Sequence, residues 1–218
     1  LNGGLVSQNS AVADGGGINI RFGNLTITGG TVTNNQAGGQ GGGIFVEQSL
    51  LSVTNLQLGN NSAGQGGGLF VDTPANLTMS QTAVYSNTAS TNGGGLLLKG
   101  NSLLTNATIS RNQAANNGGG LWLGTGNMNL QNVTVAENNA AGGGGVFNSS
   151  STASLHNSLL AGNLATTGPD CGGAAFTSNG YNLVQNSTGC LVQGNLTGNI
   201  LGQNPMLLPL TLYSGQTY

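Results

Sequence analysis

The sequence predicts an all-β protein, a parallel β-helix (solenoid) with about 25–26 residues and three short strands per coil, and three observations carry that expectation. Gly-Gly-Gly runs begin at residues 15, 41, 66, 93, 118 and 143, at steps of 26, 25, 27, 25 and 25. An Asn-x-Ala marker keeps the same step at Asn9, Asn35, Asn61, Asn87, Asn112, Asn138 and Asn163. Three residues before each marker stands an aliphatic residue: Val6, Val32, Leu58, Val84, Ile109, Val135 and Leu160. A unit this short cannot bury an apolar face alone, so the units must stack and share one core.

Each element of the coil can be justified in order. An Asn in the same turn of every coil meets the next one about 4.8 Å along the axis, so the side-chain amides satisfy one another where burial would otherwise be costly. The Gly run that follows supplies positive φ and a turn free of Cβ, where neighbouring coils superimpose closely. A phosphate-binding loop would require a following helix and a Lys, and neither is present. Next comes a short apolar strand, and then an alternating one, as in "NLTIT", "LLSVT", "NLTMS" and "NMNLQ". The alternation puts Leu25/Ile27, Leu51/Val53, Leu77/Met79 and Met128/Leu130 on one face. The aliphatic column closes the coil. Leucine-rich repeats have a similar period, but they need a regular Leu ladder and a helical segment in each unit, which these Ser/Thr/Asn/Gly-rich units lack.

Composition narrows the function. With three Lys or Arg and five Asp or Glu in 218 residues, the chain carries neither a basic footprint for nucleic acid nor a polybasic surface for anionic lipid. No apolar run approaches the roughly 18 residues that span a bilayer, so no membrane span is expected. The opening residues, "LNGGLVSQNS", lack the build of a signal peptide. Because they begin inside a repeat, a leader and earlier repeats are expected before them.

The units "GGGLFV…NLTM…AVYSNTA" and "GGGLWL…MNLQNVTVAENNA" resemble those of bacterial right-handed parallel β-helix proteins of the polymorphic outer-membrane-protein and pectin-lyase-like type, over residues 1–167. The segment 168–218, read as part of the same structural domain, is similar to the C-terminal portion of surface β-helix proteins with a choice-of-anchor Q region. Here the chain ends in "TLYSGQTY" rather than continuing into a longer tail. The resemblance implies a right-handed coil and a secreted or cell-surface protein of adhesive or structural kind. Cys171 and Cys190, the two cysteines, fit export and are expected to pair; closing their loop would stabilise by about 3 kcal/mol on the chain-entropy model.

Enzymatic β-helices place clustered acids on one exposed sheet. Six residues after the first Gly of each run come Arg21, Glu47, Asp72, Lys99, Gly124 and Ser149. Glu47 and Asp72 would lie about 5 Å apart on adjacent coils, a spacing that suits paired carboxylates or a Ca2+ ion. The flanking Arg21 and Lys99 favour a neutralised surface ladder instead, so neither catalysis nor a cofactor is expected. Asp14 and Asp170 read as turn residues without matched partners. Two positions before the charged column, Phe45, Phe70, Leu97, Trp122 and Phe147 point away from the core and are expected to form an exposed stripe, an interface for another subunit, for the chain's own C-terminal segment or for a surface polysaccharide. The β-prone tail Leu210, Thr211, Leu212, Tyr213 is expected to add as a strand to the open edge of the next copy, giving a head-to-tail homopolymer.

Overall fold

The computed structural model describes residues 1–208. Its strands form four sheets, and every pairing between named strands is parallel. The first sheet starts at Leu5–Ser7 and holds nine strands, the second starts at Ser10–Ala11 and holds five, the third starts at Ile18–Arg21 and holds seven, and the fourth starts at Asn24–Thr28 and holds eight, all among the described residues. The expected three strands per coil are therefore three or four, because the Asn-x-Ala turn itself carries a two-residue strand in the first five coils. A strand that short is invisible to an alternation pattern.

The column Val32, Leu58, Val84, Ile109, Val135, Leu160 of the first sheet is fully buried, Val6 in the opening coil is half-buried, and Val184 extends the column by one coil. The fourth sheet contributes the inward pairs Leu51/Val53, Leu77/Met79 and Met128/Leu130, while Leu25 in the opening coil is half-buried beside a fully buried Ile27. Each fully buried Leu, Val or Ile contributes about 1.5–3 kcal/mol, and one contiguous cluster joins them along the axis.

The described residues after 167 continue the first, third and fourth sheets rather than forming a separate region. Cys171–Gly173 adds to the third sheet, Phe176–Asn179 and Val192–Asn195 to the fourth, and Leu183–Val184 and Ile200–Leu201 to the first.

The Gly run divides its labour. The first glycine of each run has φ between 56° and 68°, the left-handed region that L side chains enter at a cost. The second has an ordinary φ, but a Cβ there would stand 2.4 Å from a carbonyl oxygen of the next coil at Gly16, Gly42, Gly67, Gly94 and Gly119. One glycine makes the corner, and its neighbours let the coils touch.

Candidate functional site

The Asn markers form an unbroken internal ladder. In each of the first six, the backbone N–H and the Nδ2 both donate to the Oδ1 of the next Asn, at 2.9–3.1 Å. The second Nδ2 hydrogen reaches back to the carbonyl of the aliphatic column one coil earlier, as from Asn61 to Val32 at 3.0 Å. Donors thus point toward the C-terminus along the whole row, and the last Asn needs an acceptor. Asp170 supplies it. Its Oδ1 accepts from Asn163 Nδ2 at 2.9 Å, and its Oδ2 accepts from the backbone N–H of Asn186 at 2.6 Å. The expectation of an unpartnered turn residue fails here, because the chain folds Asp170 back into the row only seven positions after Asn163. Burial pushes its carboxyl above the ordinary range, against the hydrogen bonds from Asn186 and Asn163 that pull it down.

Directly before each of the first six ladder Asn, a non-glycine residue holds positive φ: Gln8, Asn34, Asn60, Ser86, Arg111 and Glu137. Their varied chemistry hid this corner from the sequence, and only Gly162 at the same place in the seventh coil gave a hint. Asn148, in an inward-facing position of the third sheet, is likewise buried; its amide is satisfied by Ser151 and the Ala175 carbonyl.

The aromatic stripe is not exposed. Phe45, Phe70 and Leu97 are at most 2% accessible and form a small cluster of their own, with Trp122 packed against it and Trp122 and Phe147 half-buried. Register and direction are as expected, since Phe45, Phe70, Leu97, Trp122 and Phe147 are cross-strand neighbours facing away from the main core. The covering comes from two sources. The Gly turn folds back on the strand, so that a Cβ on Gly66 would stand 3.0 Å from the Cβ of Phe70. The charged column supplies the rest: the Arg21 guanidinium lies 4.9 Å above the Phe45 ring and the Lys99 ammonium 4.9 Å from that of Phe70, with the two rings stacked at 5.7 Å.

Those cations also hold the acids. Arg21 bonds Glu47 at 2.6 Å and Asp14 at 3.0 Å, and Lys99 bonds Asp72 at 3.3 Å. Glu47 and Asp72 are therefore divided between two cations rather than joined as a pair. At the Asn corner Arg111 bonds Glu137 at 2.7 Å. Among the described residues no three His, Cys, Asp or Glu side chains gather as a metal set.

Cys171 and Cys190 form a disulfide, with Cys171 in the core. Leu210, Thr211, Leu212 and Tyr213, the expected strand-addition tail, lie outside the described residues.

One surface feature escaped the sequence reading: a trough on the outer face of the fourth sheet. It consists of three hollows of about 230, 240 and 360 Å³. The first lies at the corner of Pro74, Lys99 and Thr125 and shares Asn76 and Asn101 with the second. The second shares Leu103 and Asn129 with the third, which runs on to Ser154, His156 and Asn179. The outward members of five successive alternating strands build it. The core constrains only the inward members of the alternation, so the pattern is silent on the outward ones.

The family model for the right-handed β-helix region matches residues 2–140. The chain belongs to the right-handed β-helix family. Comparison with curated proteins gave no match, and comparison with solved structures gave none. In this member of the family, the ladder continues past the matched segment to Asn163 and ends on Asp170.

Proposed function

We propose that this β-helix is an extracellular, non-catalytic scaffold of structural or adhesive kind. The observation that carries this reading is the fate of its charge. All eight charged side chains, three basic and five acidic, are engaged: Asp14 and Glu47 by Arg21, Asp72 by Lys99, Glu137 by Arg111, and Asp170 at the end of the Asn ladder. Polysaccharide cleavage needs carboxyls or a base free to reach a substrate, and each acid here is already committed to the fold. The disulfide supports an oxidising location such as the cell exterior. Incubation of the purified protein with pectin, alginate and neutral polysaccharides should leave chain lengths unchanged, with and without Ca2+. A cleavage activity that Glu47→Gln/Asp72→Asn abolishes would replace this reading with that of a lyase or glycosidase.

A second reading, self-assembly, draws on the last described coil. Leu191, Leu196, Ile200 and Leu201 are each more than two-fifths accessible there, an unusual density of exposed apolar groups. A head-to-tail homopolymer would cover them. Sedimentation of the intact chain against one lacking residues 210–218 tests the expected strand addition: large species should disappear with the deletion, and their persistence would exclude that tail as the donor.

A further inference from the structure

We propose that the Cys171–Cys190 bridge governs an exchange of ends between two copies of this chain: once opened, it releases the residues from Cys190 onward, and each copy's released end closes the last coil of the other. The bridge is the one covalent hold on that end. No residue from 190 to 208 is buried, so little apolar burial ties the segment down. Its other fastenings are the parallel pairing of Val192–Asn195 with Phe176–Asn179 and of Ile200–Leu201 with Leu183–Val184. The strands that receive it carry Phe176 and Val184, which are fully buried while it is in place. An end that leaves therefore uncovers core, and the identical end of a second copy can cover it with the same contacts.

The hinge is short and lies at the surface. Asn186 stays with the body of the molecule, its N–H donating to Asp170 Oδ2 at 2.6 Å, and the chain then turns through Ser187, Thr188 and Gly189 to reach Cys190. Two hydrogen bonds shape that turn, from Thr188 N–H to Asn186 Oδ1 at 3.1 Å and from Cys190 N–H to the Ser187 carbonyl at 3.0 Å. Straightened, its three residues span about 10 Å, which carries Cys190 across to a copy docked end to end. Short hinges of this kind favour exchange over local closure. Charge does not oppose the approach, because residues 171–208 hold no Asp, Glu, Lys or Arg. Leu191, Leu196, Ile200 and Leu201, exposed on the same end, gain cover from it. The exchange is reciprocal and closes on two copies, which separates it from a head-to-tail fibre.

The opening step is thiol–disulfide exchange with a dithiol. The thiolate attacks the half-buried Cys190 sulfur rather than the fully buried one of Cys171. The Cys171 sulfur leaves as a thiolate and takes a proton, and the donor's second thiol then displaces Cys190. Two electrons and two protons thus reach the protein, and the donor departs as its own disulfide. A small disulfide runs the same steps in reverse, and across the dimer it joins Cys171 of each copy to Cys190 of the other.

The test uses two full-length variants, Cys171→Ala and Cys190→Ala, one of them isotope-labelled, mixed under dithiothreitol and then oxidised with glutathione disulfide. Mass spectrometry of the disulfide-linked dimers should find mixed pairs exceeding like pairs roughly tenfold or more, because only a mixed pair can place Cys190 of one copy on Cys171 of the other. Chance collision of thiols would give no such excess. If amide exchange around Asn61 and Asn87 shows that either variant fails to fold, the native chain decides. Reduced and reoxidised at about 1 mM, where a second copy competes with closure across a short linker, it should yield dimers joined through Cys171–Cys190 bridges between copies. Like pairs as abundant as mixed ones, no linked dimer from the folded variants, or, where a variant does not fold, monomer alone from the native chain would overturn the proposal. None of those outcomes touches the scaffold reading, which falls to a measured cleavage, or the fibre, which depends on residues 210–218.

Discussion

At the residue scale, the Asn ladder is the most exacting feature of the molecule. Every amide in it gives both hydrogens and every one from Asn35 onward receives two, so removal of an internal side chain strands partners on both sides. Asn87→Ala would deprive Asn61 Nδ2 and N–H of their acceptor and leave the Leu58 carbonyl and Asn112 Oδ1 short of a donor. We expect a loss of about 3–5 kcal/mol in denaturant unfolding, against less than ~0.5 kcal/mol for Asn76→Ala, at an exposed strand position. Asp170 sets a pH dependence of unusual sign. Its carboxyl is raised in the folded state, so the native protein holds the proton more tightly than the unfolded chain does. The stability that this proton confers is fully present below the ordinary carboxylate value of about 4 and is lost as pH rises through the raised one. Melting curves of the native chain and of Asp170→Asn, subtracted across acidic pH, should show the difference declining over that interval. A difference that grows with pH would mean that the hydrogen bonds from Asn163 and Asn186 outweigh burial.

At the element scale, the glycine run shows how much a repeat can and cannot disclose. A Cβ added at Gly67 would lie 2.4 Å from the Thr88 carbonyl oxygen, and backbone cannot yield as a side chain would. Gly67→Ala should cost about 3 kcal/mol or more in thermal or denaturant unfolding, although alanine is ordinarily the better strand residue. Period, aliphatic column and Asn row were legible because each coil repeats the same demand at the same place. The buried state of Phe45 and Phe70 was not, because it depends on Arg21 and Lys99, which sit on other coils and occur once each. The end of the ladder escaped for a related reason: Asp170 joins the row outside the repeat, where periodicity carries no information. The trough stayed hidden because its outward residues, Thr78, Leu103, Asn129 and Ser154 in one register, differ from coil to coil and leave no period to read.

At the scale of the whole molecule, a solenoid lacks contacts between distant coils, so stability is local and the last coils depend on their fastening. The Cys171–Cys190 bridge ties the residues around Asp170 to the loop that covers it, across a separation of 19 positions. Reduction should remove roughly 3 kcal/mol from those coils, and hydrogen exchange should show protection falling beyond residue 168 while the amides near Asn61 and Asn87 keep theirs. Uniform loss along the axis would contradict a modular stack. The central functional proposal is that the charged side chains are spent on the fold and the protein is a non-catalytic scaffold. Its most direct test is the chain-length distribution of pectin, alginate and neutral polysaccharides mixed with the protein, followed over a long incubation by size-exclusion chromatography. The account predicts an unchanged distribution for the native chain and for Glu47→Gln/Asp72→Asn; shortening by the native chain that the double variant fails to produce would contradict it.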